Sequence, residues 1–112
     1  MNANIKAMED RIARIKQELL RIGTMRPGSL TRQKRSPKYK GRYYQLSYTH
    51  KMRGYTEYPR AEFVPDMRRQ IAEYKKFKKL IGEWISLAIA RSKLTITLAK
   101  HSALSRPKTR HS

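Results

Sequence analysis

Cysteine is missing from all 112 residues of this chain, so disulfides and thiolate metal sites are excluded and a reducing, intracellular setting is permitted. Carboxylates are scarce: 8 Asp and Glu stand against 27 Lys and Arg, a net charge of +19. Repulsion on that scale works against compaction unless a polyanion or an acidic partner relieves it, and nucleic acid is the commonest polyanion in a cell. Long apolar runs are lacking too. The most apolar stretch, "LIGEWISLAIA" from Leu80 to Ala90, contains Glu83 and is too short to cross a bilayer. The amino-terminal "MNANIKAMEDRIARIKQ" is charged throughout and does not read as a signal peptide. A chain of this length forms one domain with little enclosed volume, so a binding protein is expected before an enzyme, soluble and in the cytoplasm of a prokaryotic or phage-infected cell.

Catalytic groupings are as thin as the composition implies. The three histidines, His50, His101 and His111, have no ligand-spaced neighbours. Glu57, Glu62, Asp66 and Glu73 are the candidates for a clustered carboxylate centre, and Glu62 and Asp66 fit better as helix-start residues than as metal ligands. There is no glycine-rich phosphate loop and no nucleophile elbow. The expectation is a non-enzyme with no cofactor and no metal.

What the chain does have is periodicity. Ile5, Met8, Ile12, Ile15, Leu19 and Ile22 step by three and four residues, a heptad seam that predicts a helix from Asn2 to about Ile22. Gly23, Pro27 and Gly28 end it. The seam needs a partner, either another part of this chain or a second copy. In "RYYQLSY" the period changes to two, placing Tyr44, Leu46 and Tyr48 on one strand face, and "YTEY" returns after the basic tip "THKMRG". This predicts a β-hairpin with a four- to six-residue tip, and Gly28 to Gln33 reads as a third short strand. Pro65 and Asp66 open a second long helix with two apolar stripes. One runs through Met67, Ile71, Tyr74, Ile81, Ile85 and Ala88; the other through Phe77, Leu80, Trp84 and Leu87. "LTITLA" (94–99) reads as helix or strand, and residues 100–112 read as a disordered basic tail. The fold class is therefore α+β: two long antiparallel helices in a coiled-coil-like hairpin, with a small basic β-hairpin or three-stranded sheet between them. Residues 1–99 make the domain.

Charge and aromatics converge on the middle of the chain. Residues 25–64 hold ten Lys and Arg against two acids, and six of the seven tyrosines lie between Lys38 and Tyr58. Rings that stack on bases beside cations that neutralise phosphates suit nucleic-acid binding. The candidate contacts are Arg32, Lys34, Arg35, Lys38, Lys40 and Arg42, the rings of Tyr39 and Tyr43, and the tip residues His50, Lys51 and Arg53. Arg106, Lys108 and Arg110 extend the set into the tail. DNA is favoured over RNA, and membrane binding is not expected. The alternatives are a helical adaptor docking on a larger protein or ribonucleoprotein through the Phe77, Leu80, Trp84 and Leu87 stripe, an RNA- or ribosome-associated protein, and a homodimer through the helices.

The segments "MRPGSLTRQ" (25–33), "YYQLSYTHK" (43–51) and "FVPDMRRQIAEYKKFKKL" (63–80) are similar, in that order, to a family of short uncharacterised prokaryotic proteins found beside mobile genetic elements. The resemblance spans about residues 25–85. It implies a shared fold and an accessory or regulatory role in a mobile-element or phage system. Members of that family commonly carry a zinc-knuckle type Cys cluster between the first two segments, where this chain has "KRSPKYKGR", so the resemblance lends it no zinc site.

Overall fold

The computed structural model describes residues 2–33 and 43–105, and the order of elements is helix, three strands, helix. These are α1 (Asn2–Leu20), β1 (Ser29–Gln33), β2 (Tyr43–His50), β3 (Arg53–Glu57), a 3-10 turn at Ala61–Phe63, and α2 (Val64–Ser105). The class is α+β. Two compact units form, one from α1 with α2 from Leu80 onward, the other from Arg21 to Lys79 with all three strands. Among the described residues no helix is long and apolar enough to cross a membrane.

In the first unit the heptad positions of α1 are its more covered face, and Ile15 is fully buried. On α2 the covered positions Leu80, Trp84, Leu87, Arg91, Leu94 and Leu98 also alternate by four and three, with Leu80 buried. Polar contacts tie the two helices: Arg11 donates to both carboxylate oxygens of Glu83 at 2.6 and 2.8 Å, Arg91 donates to Glu9, and Lys16 Nζ lies 5.3 Å from the Trp84 ring centre. The stripe expected to offer Leu80 and Trp84 to an outside partner is thus the covered one. Ile85, Ile89 and Ile96 are exposed instead.

Two corrections concern boundaries, and one reading left open is decided. The first helix stops at Leu20, short of Ile22, because the chain turns to lie along α2: the Gly23 amide donates to Glu73 at 2.7 Å and the Arg26 amide to the Gln70 carbonyl at 3.2 Å. Residues 94–99 are helical. Their β-branched side chains each cost only tenths of a kcal/mol relative to alanine, while Leu94 and Leu98 continue the covered stripe of α2, and packing of such a face is what chiefly stabilises helices in proteins. The same helix continues to Ser105, so residues 100–105 do not belong to a disordered tail. Residues 106–112 lie outside the described part.

The second unit holds an antiparallel sheet in the order β1-β2-β3. Its inner face follows the predicted alternation: Leu46 is fully buried, Tyr44 nearly so, and Tyr48 half-buried, with Val64 and Ile71 of α2 completing the core. The third strand is present, and Leu30 pairs with Leu46. Gly28 is the steric hinge of this packing. Its φ is +154°, and a Cβ there would stand 2.6 Å from Leu46 Cδ1 and 3.7 Å from Ile71 Cδ1. The neighbour is a fully buried side chain that cannot swing aside, so Gly28→Ala is expected to lower stability by about 1–3 kcal/mol in urea or thermal unfolding. Gly54→Ala, where a Cβ meets nothing within 4 Å, should stay within about 0.5 kcal/mol of the parent.

Candidate nucleic-acid interface

Register decides which cations can act together. β2 runs from Tyr43, paired with Gln33, to His50, paired with Arg53. Arg32 pairs with Tyr44, six residues from His50, a separation of about 20 Å along the strand. The candidate residues therefore fall at opposite ends of the sheet. Arg32 and Tyr43 stand at the end that leads into residues 34–42; His50, Lys51 and Arg53 stand at the other. Lys34, Arg35, Lys38, Tyr39, Lys40 and Arg42 lie outside the described residues, as do Arg106, Lys108 and Arg110.

The tip itself is smaller than expected. Only Lys51 and Met52 connect the strands, both with positive φ (52° and 65°), while His50 and Arg53 are already paired strand residues. Gly54, which belonged to the expected connection, sits inside β3. The reason is register. Tyr48 stacks on Tyr55 with ring centres 5.0 Å apart and planes at 15°, and Leu46 is buried; moving the turn by one residue would reverse every side chain of the returning strand. Packing of the inner face overrides the local preference for glycine in the turn. His50, Lys51, Met52 and Arg53 are all exposed.

Two further features were missed. Arg68 and Lys75, with Ile71 and Ala72, line a cleft of about 390 Å³ against Gly28, Ser29 and Leu30, and among the described residues no carboxylate is in that lining. Their spacing of seven residues places them on one face of α2, a signal available in the sequence once β1 is known to lie beside that face. Ser29 pairs with Ser47, three residues from His50, so the cleft adjoins the end of the sheet nearer the turn. The outer face is the second feature. Alternation puts Ser29, Thr31, Gln45, Ser47, Thr49 and Thr56 there, uncharged hydroxyl and amide side chains that are exposed or half-exposed. Gln45 Nε2 donates to Ser47 Oγ at 3.4 Å. Hydroxyls and amides of this kind can meet phosphates and base edges alike.

Behind the tip, on the inner side, lies a fixed polar cluster. Arg26 donates to Glu57 at 3.1 Å and its guanidinium carbon stands 5.0 Å from the Tyr48 ring centre. Tyr48 donates its hydroxyl to Glu57, which raises the tyrosine above its ordinary pKa. The Glu57 carboxyl is held below its usual range, first by Arg26 and then by Tyr48. Among the described residues no group of three or more His, Asp or Glu gathers as a metal site.

Compared with family models, with curated proteins and with solved structures, the chain matches none.

A depressed carboxyl stabilises the fold fully above its ordinary pKa and loses that contribution as pH falls through the lowered one. The acid limb of unfolding should therefore begin as pH enters the usual carboxylate range and be complete only below it. In Glu57→Gln, tyrosine near-ultraviolet circular dichroism should show reduced stability at neutral pH and a smaller loss on acidification. An unchanged acid limb would mean that Glu57 does not couple the sheet to pH.

Proposed function

We infer that this chain is a non-enzymatic nucleic-acid-binding protein, acting on DNA in preference to RNA, as an accessory or regulatory subunit of a mobile-element or phage system in the cytoplasm. The observation that carries this reading is how the acids are used. Glu9, Asp10, Glu57, Glu62, Asp66 and Glu83 pair with Arg91, Lys6, Arg26, Arg60, Arg69 and Arg11, and Glu73 accepts the Gly23 amide. Seven of the eight carboxylates are thus engaged inside the chain, and the surplus of +19 has to be met by something else. Lys51 and Arg53 at the turn, with Arg68 and Lys75 at the neighbouring cleft, offer phosphate contacts near one end of the sheet. The mobile-element setting is supported by the ordered resemblance over residues 25–85, and the preference for DNA follows from that setting.

The architecture that best serves this role is an antiparallel, coiled-coil-like pairing of α1 with the later part of α2, holding the chain's two ends as scaffold. The opposite order of the contacts supports it, since Glu9 meets Arg91 while Lys16 meets Trp84. A second reading, a helical adaptor for a larger protein or ribonucleoprotein, is supported by the exposed Ile85, Ile89 and Ile96.

Salt separates the two. Neutralising four phosphates gives a slope near −3.6 in log affinity against log salt, so binding to a short DNA duplex should fall roughly 100-fold between 50 and 200 mM salt. Competition with RNA of the same sequence should leave DNA the tighter ligand. Absence of binding to single- or double-stranded oligonucleotides at low salt would overturn the reading, and salt-independent capture of a protein partner would favour the adaptor.

A further inference from the structure

Two-residue hairpin turns with positive φ at both positions are the natural place for Asn and Gly, which reach that conformation at little cost. This chain places Lys51 and Met52 there, at φ 52° and 65°. Register explains why the turn falls at these positions, but not which side chains occupy it, since an Asn-Gly pair would fit the same register without the conformational penalty. The side chain carried at the second position is also the wrong kind for a solvated tip. Met52 is 99% exposed, an apolar side chain in full contact with water. Lys51 precedes it, and the paired His50 and Arg53 stand directly behind it. An apolar point backed by cations is complementary to a target whose outer shell is anionic and whose interior is flat and apolar.

We propose that Met52 is a wedge that enters between two stacked base pairs of a DNA duplex, with Lys51, Arg53 and His50 on the flanking phosphates. The proposal rests on the nucleic-acid reading above and names what its hairpin does. Three properties fit the task. The tip is two residues wide and its strands are about 5 Å apart, narrow enough for the backbone of the turn to approach a groove floor. An unbranched thioether adapts to an irregular gap such as a partly opened base step. Apolar wedges of this type unstack a step and kink the duplex while nearby cations hold the backbone. The stacked Tyr48 and Tyr55 and the Arg26–Glu57 ion pair brace the strands behind the tip, so the hairpin can press on the duplex without folding back. Flexible pyrimidine–purine steps are the expected points of entry, because they open most easily.

The test uses the full chain and a short duplex with 2-aminopurine beside a central TA step, read by its fluorescence and by end-to-end energy transfer. The parent protein should raise the fluorescence and bend the duplex by roughly 20–90°. Met52→Leu should keep both signals. Met52→Gly keeps every cation and relieves the positive φ, so its melting temperature should be equal or higher, while the fluorescence rise and the bend are lost and low-salt affinity stays within about tenfold of the parent. Binding by the parent with no unstacking, or unstacking by Met52→Gly equal to the parent's, overturns the wedge and leaves the nucleic-acid reading standing. No binding by the parent at low salt overturns both. Vesicles of anionic phospholipid serve as the competing target: Met52-dependent binding to them, without unstacking of the duplex, also overturns the proposal.

Discussion

The pairing of seven of the eight carboxylates with groups of this same chain is the constraint on which the rest of the structure depends. With 27 basic side chains and 8 acidic ones, an acid left in solvent would give up attraction the fold needs. Four of the acids are placed at junctions. Glu83 and Glu9 bridge α1 to α2, Glu73 receives the chain as it leaves α1, and Glu57 gathers Arg26 and Tyr48 at the sheet. Ion pairs of this exposure contribute modestly one by one. Their effect here is geometric: they set which elements meet. They also leave the cations of the turn and of the Arg68–Lys75 cleft facing solvent.

The sheet unit adds a second constraint, the seat of Leu46. Gly28 and Ile71 close around it, and the strand register follows from keeping that residue and Tyr44 on the inner face. From the register follow the two-residue turn, the exposed Met52 and the uncharged outer face. A small antiparallel sheet is stable only when one side is packed, and α2 supplies that packing. The other side is exposed or half-exposed, and its hydroxyl and amide side chains are suited to direct contact with a polar surface.

Much of this was legible in the residues. The heptad seam of α1, the inner strand face of Tyr44, Leu46 and Tyr48, and the start of α2 near Pro65 follow from periodicity, because each reflects which side chains leave water. What escaped was set by longer-range effects. The turn at Lys51–Met52 depends on the Tyr48–Tyr55 stacking rather than on the nearby Gly54. Leu94–Ala99 read equally as helix or strand, and the choice is settled by Leu94 and Leu98 carrying on the covered stripe of α2. Leu80 and Trp84 looked available to a partner because a stripe read alone does not say which of two apolar stripes the first helix covers. Arg68 and Lys75 attract notice only when Ser29 and Leu30 are known to lie opposite them. The loop and tail cations, Lys34 to Arg42 and Arg106 to Arg110, were read from charge alone.

Under the proposed nucleic-acid reading, recognition falls to the sheet unit, Arg21–Lys79, and scaffolding to the helical unit. Backbone amide shifts of the full chain, followed by heteronuclear NMR as a short DNA duplex is added at low salt, test that division most directly. The account predicts that the largest changes gather at His50 to Arg53, at Ser29 and Leu30, and at Arg68 and Lys75, with α1 and the row of Ile85, Ile89 and Ile96 little affected. Changes centred on α1 or on α2 beyond Leu80, with the sheet unit unmoved, would contradict it.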